Sequence, residues 1–218
     1  MHKLKKSKFL IIIPSYNEFY NLKKFVKKVK KIAPVCILDD CSNDQTAQWL
    51  KKNKINYIRN KKNLGYEKNL INGIKKLKKY CDYLVTFDGD GQHKYSDLLK
   101  IMKIKKNYDI IICNRIKKNR LMEILISFIF KLLYGLKDPL SGFKVYKTNI
   151  LKNHILKKVE NLFLIDLLFG LLKKKKSINF PINTNKRLGN PKVGNTINVN
   201  LKELRILFKI IYFKFTRN

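Results

Sequence analysis

Short apolar, β-branched segments alternate with amphipathic helical segments through the first half of the chain, and this alternation constrains the fold more than any other feature. The predicted strands cover residues 9–13, 35–38, 55–58, 83–87 and 108–113. Between them, apolar residues recur at helical spacing, as at Leu22, Val26 and Val29. Strands that alternate with helices predict an α/β fold with a mostly parallel, doubly wound sheet and helices on both faces.

The second half of the chain is less regular and more apolar. Its predicted elements are strands at residues 143–146 and 178–182, an apolar stretch at 121–136, a helix at 161–172 and a basic amphipathic helix at 201–215. No internal repeat or linker divides the sequence. We therefore predict one domain over residues 1–200, followed by a basic amphipathic C-terminal helix over residues 201–218.

Polar loops follow three of the predicted strands, at residues 14–18, 39–44 and 88–93. Because the carboxyl ends of parallel strands share one edge of the sheet, these loops are expected to meet there. Two of them contain five of the 15 acidic residues of the chain, namely Asp39, Asp40, Asp44, Asp88 and Asp90. In a chain so rich in lysine, carboxylates gathered at one edge indicate a site for a cation or for sugar hydroxyls.

The loop at residues 88–93 contains two carboxylates, Asp88 and Asp90, separated only by Gly89. Two aspartates this close repel each other unless a bound cation neutralises their charge. Mg²⁺ or Mn²⁺ that holds a diphosphate would resolve the conflict, because both metals prefer hard oxygen ligands. The alternative is a hairpin turn, for which Asp-Gly is a common pair. The gathering of the other polar loops at the same edge favours the metal site.

The charge of the chain is strongly positive, with 49 Lys and Arg against 15 Asp and Glu and a formal net charge of +34. Such a surface attracts polyanions, which include nucleic acid, anionic lipid and phosphorylated substrates. A nucleic-acid-binding module would combine basic and aromatic residues in a recognisable motif. The lysines are instead scattered, and that function would leave the aspartate loops without a role. We therefore predict no nucleic-acid partner.

The cysteines and the apolar segments bear on the cellular location. Cys36, Cys41, Cys81 and Cys113 form no C-x-x-C motif, which predicts free thiols in a reduced, cytosolic protein. The first residues do not have the pattern of a signal peptide. No segment approaches the roughly 20 consecutive apolar residues of a membrane-spanning helix.

Six ordered motifs resemble those of a known family. They are I-I-I-P-S-Y-N-E at residues 11–18, L-D-D-C-S-N-D-Q-T at 38–46, N-L-G at 63–65, D-G-D-G-Q-H at 88–93, D-P-L-S-G-F-K at 138–144 and, more weakly, R-L-G-N-P-K at 187–192. Together they resemble the family-two glycosyltransferases, and most closely the polyprenyl-phosphate sugar transferases of the dolichyl-phosphate mannose synthase type. The resemblance covers residues 9–194 and implies the GT-A fold, which is Rossmann-like.

The resemblance implies roles for the residues that match these motifs. The nucleotide pocket would contain Pro14, Tyr16, Glu18 and Asp40, with Asp40 facing the base. Asp90 would bind Mg²⁺ or Mn²⁺, and Asp88 would bind the same metal or the ribose. Gln92 would face the donor sugar or the acceptor phosphate, and phosphate groups would be bound by Arg187 and Lys192. After N-L-G the family has a small basic segment, whereas this chain has Tyr66-Glu67-Lys68, so no role is implied there.

The activity implied by the resemblance is a metal-dependent, inverting transfer of a sugar from a nucleotide-sugar donor to a polyprenyl phosphate. The metal would neutralise the diphosphate leaving group. A phosphate acceptor, whose second pKa is about 6, is largely ionised at pH 7 and needs no strong base. The same-fold alternative is transfer to a saccharide hydroxyl in surface-polysaccharide assembly, which needs a carboxylate base.

Three further residues are candidates for the chemistry. Asp138 and Asp166 are the candidate bases, although Asp138 also suits the start of a turn at Pro139, and Asp166 also suits a hydrogen-bonded carboxylate of a helix. Arg115, just after a predicted strand, is expected to contact a ligand.

The predicted C-terminal helix has apolar residues at spacings close to three and four, among them Leu201, Leu204 and Phe208. Basic residues, including Lys202 and Arg205, fall largely on another sector. This composition is typical of a helix that lies in the headgroup plane of an anionic membrane. We therefore predict peripheral contact with the inner face of the cell membrane, to which residues 121–136 would add a second apolar contact. The alternative is that the helix packs on the sheet and its lysines face water.

Overall fold

The computed structural model describes residues 4–104, 108–118, 120–153, 156, 165–172, 175–185 and 196–216. Its principal elements over these ranges are seven strands and seven α-helices. The strands are β1 (Ser7–Ser15), β2 (Val35–Asp39), β3 (Asn56–Arg59), β4 (Cys81–Thr86), β5 (Ile110–Arg115), β6 (Lys144–Lys147) and β7 (Ser177–Ile182). The helices are α1 (Phe19–Lys30), α2 (Thr46–Lys52), α3 (Tyr66–Leu77), α4 (Tyr95–Met102), α5 (Leu121–Tyr134), α6 (Ile165–Leu172) and α7 (Thr196–Thr216).

The strands form one sheet in the order β3-β2-β1-β4-β6-β5-β7. All neighbours pair in parallel except at β6, which runs antiparallel to both β4 and β5. In the centre, Ile12 of β1 lies between Cys36 of β2 and Thr86 of β4. The predicted α/β fold with a mostly parallel sheet is therefore confirmed, with β6 inserted as one reversed strand.

The sheet separates two apolar cores, because successive residues of a strand point to opposite faces. In β1, Leu10 and Ile12 belong to one core, while Ile11 and Ile13 belong to the other. The first core includes buried side chains of α3, α5, α6 and α7, and the second includes those of α1, α2 and α4. Strands buried on both faces explain why their sequences read as nearly continuous apolar runs.

The C-terminal helix α7 spans Thr196–Thr216, so it begins before residue 201, where the predicted C-terminal segment starts. Its buried residues Ile206 and Ile210 join the core that contains α5. The Tyr134 hydroxyl of α5 donates a hydrogen bond of 3.1 Å to the carbonyl oxygen of Ile210. The helix therefore packs against the domain along one side. Within the described ranges, no helix has the length and hydropathy needed to cross a membrane.

Candidate active site

The loops after β1, β2 and β4 contact one another at the carboxyl edge of the sheet. The backbone N–H of Asn17 donates to Ser42 Oγ at 2.9 Å, and the Asn17 side-chain oxygen accepts from the backbone N–H of Asn43 at 2.7 Å. Asn17 has a φ of 52°, a left-handed conformation that asparagine tolerates better than most residues. Gly89 lies so close to the first loop that an added β-carbon would stand 3.0 Å from the Pro14 carbonyl oxygen. The three polar loops therefore meet, as their positions after parallel strands predict.

The two carboxylates at the end of β2, Asp39 and Asp40, are buried and bound to protein groups. Asp39 accepts a hydrogen bond of 2.6 Å from the Arg59 guanidinium. Asp40 Oδ1 accepts from the backbone N–H of Leu64 at 2.9 Å and from the Asn60 amide at 2.8 Å, and Asp40 Oδ2 accepts from the backbone N–H of Gly65 at 2.8 Å. The Asp40 carboxylate, predicted to face the base, thus holds the N-L-G loop against the end of β2.

The Asp88 carboxylate is enclosed by three neighbours. The Tyr66 hydroxyl donates to Oδ1 at 2.9 Å, and His93 Nε2 lies 3.1 Å from Oδ2. Gly142 completes the enclosure, since a β-carbon there would stand 2.1 Å from Oδ2. Burial disfavours the charged form of Asp88, yet the hydrogen bonds from His93 and Tyr66 and the charge of Lys144 hold its pKa below its ordinary value. The residue is therefore an ionised carboxylate with one orientation, and a quarter of its side chain is exposed.

Asp90 and Gln92 form the tip of the same loop. Asp90 Oδ1 accepts a hydrogen bond of 3.0 Å from the backbone N–H of Gln92. Gly91 between them has a φ of 76°, which a residue with a β-carbon adopts only with strain. The Gln92 carbonyl oxygen accepts from the backbone N–H of Asn185 at 2.8 Å, which ties the loop to the segment after β7.

A divalent metal at this loop would have oxygen ligands, as Mg²⁺ and Mn²⁺ prefer. No three His, Cys, Asp or Glu side chains converge on a metal position anywhere in the described ranges. Asp88 and Asp90 can supply carboxylate oxygens, and a donor diphosphate would supply others. The residues therefore fit a metal that is bound together with its nucleotide.

Arg115 and Asp138 are bound to each other. Arg115 Nε and Nη2 donate to the two oxygens of Asp138 at 2.9 Å each, and the Arg115 backbone N–H donates to Oδ2 at 2.8 Å. Burial works against the ionised form of Asp138, but Arg115 lowers its pKa below the ordinary value. A fully buried carboxylate held by three donors is poorly suited to accept a proton. The predicted roles of Asp138 as a base and of Arg115 as a ligand contact stay predictions, and this ion pair disfavours the first of them.

The remaining predicted site residues divide into two groups. Pro14, Tyr16 and Glu18 occupy the end of β1 and the loop that follows it, where Glu18 is buried and accepts a hydrogen bond from the Asn21 amide. The side chain of Asp166, and both Arg187 and Lys192, lie outside the described part of the chain.

Three residues at the site received no role from the sequence, namely Tyr66, His93 and Lys144. Lys144 is buried at the start of β6, and its Nζ donates to the carbonyl oxygen of Ser141. Burial lowers the pKa of Lys144 to about 8, against the opposing effect of Asp138 and Asp88. Lys144 is the last residue of the motif D-P-L-S-G-F-K, so the match of this motif to the family was the only sequence feature that could have indicated it. For Tyr66 there was none, because the family pattern is broken there.

Residues 10–123, more than half of the chain, match the model of glycosyl transferase family 2. The chain belongs to this family. As a family-2 glycosyltransferase, it is an enzyme, and the predicted resemblance is confirmed.

Two relatives and one solved structure are similar to this glycosyltransferase. The UDP-N-acetylglucosamine–dolichyl-phosphate N-acetylglucosaminyltransferase of Methanococcus voltae is 30% identical over 176 residues, which cover 65% of this chain and 70% of that protein. The dolichol-phosphate mannosyltransferase of Pyrococcus furiosus is 27% identical over 227 residues, 93% of this chain and 64% of that protein.

The solved structure is glucosyl-3-phosphoglycerate synthase from Mycobacterium tuberculosis in complex with Mn²⁺, UDP-glucose and glycerol 3-phosphate. It superposes with a TM-score of 0.65 at 13% identity, covering 95% of this chain and 79% of that one. At this identity the similarity establishes the fold, and the predicted GT-A fold is confirmed.

Proposed function

We propose that this family-2 glycosyltransferase moves a sugar, with inversion, from a nucleotide-sugar donor to a polyprenyl phosphate at the cytoplasmic face of a membrane. Two relatives are named as transferases that act on dolichyl or dolichol phosphate, which supports this acceptor class. The observation that carries the proposal is an exposed apolar surface on two helices of the domain, since a lipid-linked acceptor requires the enzyme to reach a bilayer.

The donor would bind at the carboxyl edge of the sheet. Pro14, Tyr16 and Glu18 would line the nucleotide pocket, and Asp40 would contribute by holding the N-L-G loop in place. Asp90 and Asp88 would hold Mg²⁺ or Mn²⁺, which neutralises the diphosphate leaving group as a Lewis acid when bound. The solved relative that contains Mn²⁺ together with UDP-glucose supports both the metal and the class of donor.

Other residues are assigned to the sugar and phosphate ends of the reaction. Gln92, at the tip of the metal loop, would face the donor sugar or the acceptor phosphate. Arg187 and Lys192 would bind phosphate groups, and the fork of an arginine guanidinium matches phosphate oxygens well. These two assignments rest on the sequence motif alone.

The carboxylates bear on the choice between the two acceptor classes. Transfer to a saccharide hydroxyl needs a base, and the ion pair with Arg115 disfavours Asp138 for that role. Asp166 is the other candidate base. A phosphate acceptor is already ionised near neutral pH and needs neither residue. The geometry of Asp138 therefore supports the phosphate acceptor.

The apolar surface consists of the outward sides of α5 and α7, which we call the α5–α7 surface. Its exposed residues are Leu121, Ile124, Leu125, Phe128 and Leu132 on α5, and Leu201, Leu204, Phe208, Ile211, Tyr212 and Phe215 on α7. Leu121 is 87% exposed and Phe215 is 73% exposed. The opposite sides of the two helices pack into the core through residues such as Phe130 and Ile210. The helices therefore pack on the domain and still leave apolar residues uncovered.

An anionic bilayer is the partner that matches this surface. Large contiguous apolar patches are uncommon on proteins that face only water. Exposed basic residues accompany the apolar ones on α7, namely Arg205 and Lys214, and the formal net charge of the chain is +34. Near an anionic leaflet each Lys or Arg contributes about 1 kcal/mol of attraction. Five residues separate the end of β5 from the start of α5, so α5 begins near the carboxyl edge that holds the site.

The decisive experiment offers radiolabelled nucleotide sugars to the purified enzyme with either polyprenyl phosphate in vesicles or saccharide acceptors. We expect label in the lipid fraction only with polyprenyl phosphate, and product with the anomeric configuration opposite to that of the donor. Transfer to saccharides alone would replace the proposed acceptor with the polysaccharide alternative.

A further inference from the structure

The orientation of Asp88 is determined by side chains on two different elements, α3 and the loop after β4. Tyr66 contacts one oxygen of the carboxylate at 2.9 Å and His93 the other at 3.1 Å. The wall at Gly142 leaves no room for the carboxylate to swing toward the 135–143 loop. Each carboxylate oxygen can accept more than one hydrogen bond, so both retain capacity for a ligand.

Tyr66 reaches Asp88 from the end of the N-L-G loop at residues 63–65. It is the first residue of α3, and it directly follows Leu64 and Gly65, whose backbone N–H groups donate to Asp40. Gly65 has a φ of 81°, which turns the chain into the helix. Since β1 lies between β2 and β4 in the sheet, Tyr66 connects two strand ends that are not neighbours. Burial and the charge of Asp88 raise the pKa of Tyr66, so its hydroxyl remains a donor.

His93 is held rigidly as the second donor. Its ring packs against Phe87 and Phe143, with centroid separations of 5.2 Å and 5.1 Å. Within the described residues, its buried Nδ1 has no hydrogen-bond partner. A proton on Nδ1 would therefore be buried without an acceptor, whereas a proton on Nε2 has Asp88. The ring is consequently a fixed donor toward the carboxylate.

We propose that Tyr66 and His93 are positioning residues that hold Asp88 ready for the metal-bound diphosphate of the donor. In this proposal Tyr66 also couples the N-L-G loop, which Asp40 holds, to the loop that contains Asp88 and Asp90. The inference rests on the proposed nucleotide-sugar donor. A carboxylate fixed before binding loses less side-chain freedom when the ligand arrives, which increases affinity. The coupling also predicts that a disturbance at Asp40 weakens metal binding, although Asp40 and Asp88 share no direct hydrogen bond among those described.

The test measures binding and requires no turnover. Calorimetry and the electron paramagnetic resonance signal of free Mn²⁺ give the affinity for Mn²⁺ with UDP or with GDP. Tyr66→Phe keeps the aromatic ring and removes only the hydroxyl that donates to Asp88. His93→Leu removes the second donor and places an apolar side chain between Phe87 and Phe143. His93→Gln restores an N–H donor. The control is Tyr83→Phe, at the opposite end of β4, where the tyrosine ring stacks on Phe9.

We expect Tyr66→Phe and His93→Leu each to weaken Mn²⁺–nucleotide binding by about 10- to 150-fold, as for one lost hydrogen bond to a charged group. His93→Gln should recover part of the affinity, and Tyr83→Phe should match the wild type. A purely structural role would lower the unfolding temperature and leave these affinities unchanged.

Unchanged affinity in Tyr66→Phe or in His93→Leu would overturn the inference and leave the proposed function intact. A wild-type protein that binds neither UDP nor GDP with Mn²⁺ would overturn both.

Discussion

Replacing Gly142 by alanine should disable the site through one added methyl group. The new β-carbon would stand 2.1 Å from Asp88 Oδ2 and 2.2 Å from Asp88 Oδ1, whereas non-bonded heavy atoms prefer about 3.5–4.0 Å. The backbone is restrained from retreating, because the Thr86 hydroxyl donates to the Gly142 carbonyl oxygen at 2.7 Å. The carboxylate must therefore move, and the His93 hydrogen bond to Oδ2 is the first contact to be lost.

The size of the effect follows from that contact. A hydrogen bond to a charged group contributes about 1.5–3 kcal/mol, which corresponds to a fall in kcat/KM of about 10- to 150-fold. The measurement is the initial rate of sugar transfer with a radiolabelled donor, at several Mn²⁺ concentrations. Thermal unfolding is recorded in parallel, so that loss of the fold is distinguished from loss of the site.

Gly135→Ala is the matched control. Gly135 ends α5 with a φ of 68°, and among the described residues no heavy atom beyond its own helix and chain neighbours lies within 4 Å of an added β-carbon. Alanine at this position strains the left-handed backbone but contacts no neighbouring side chain, so it should cost about 1–2 kcal/mol of stability and leave the site unchanged. The reasoning is refuted if Gly142→Ala keeps wild-type kcat/KM, or if Gly135→Ala loses as much activity as Gly142→Ala.

Four further outcomes are expected. Asp90→Ala should abolish sugar transfer without unfolding the protein. A chelator should also abolish transfer by the wild type until Mg²⁺ or Mn²⁺ is added back, and full activity in excess chelator would contradict the metal site. Asp40→Ala should weaken nucleoside diphosphate binding, measured by calorimetry, because the N-L-G loop loses its anchor, with a cost of about 1.5–3 kcal/mol for each hydrogen bond to the carboxylate that is lost. Phe208→Glu should reduce flotation with anionic liposomes while its unfolding temperature stays near that of the wild type, whereas binding that is insensitive to both salt and this change would argue against the α5–α7 surface. The pKa of Lys144 is about 8 in the folded protein and 10.5 in the unfolded chain, so the unfolded chain binds more protons between these two pH values. The free energy of unfolding should therefore rise with pH across this window, and Lys144→Met should abolish that rise.

Much of the fold follows from local sequence patterns. A strand alternates its side chains between two faces and a helix repeats every 3.6 residues, so apolar spacing alone predicts which segments are strands and which are helices. The order of these segments then predicts the parallel sheet, and parallel strands predict that the loops at 14–18, 39–44 and 88–93 meet at one edge. These inferences need no contact between distant residues, which is why they agree with the structure.

Only the tertiary structure decided how the groups at that edge pair. Asp40 is turned toward the N-L-G loop, Asp138 is bound by Arg115, and Tyr66 reaches Asp88 across 22 positions of sequence. The insertion of β6 between β4 and β5 is another such result, because short strands carry no local signal for their neighbours.

The two outer helices show the same division. The sequence by itself determined that the segments of α5 and α7 are apolar, and its spacing determined that α7 is amphipathic. It did not determine which residues remain uncovered, since burial depends on which faces of α5 and α7 meet each other and the sheet. The packing buries Phe130 and Ile210 and leaves Phe128 and Phe208 at the surface. The physical reason is that local sequence spacing sets the sides of a helix, whereas long-range packing selects the side that water or a membrane meets.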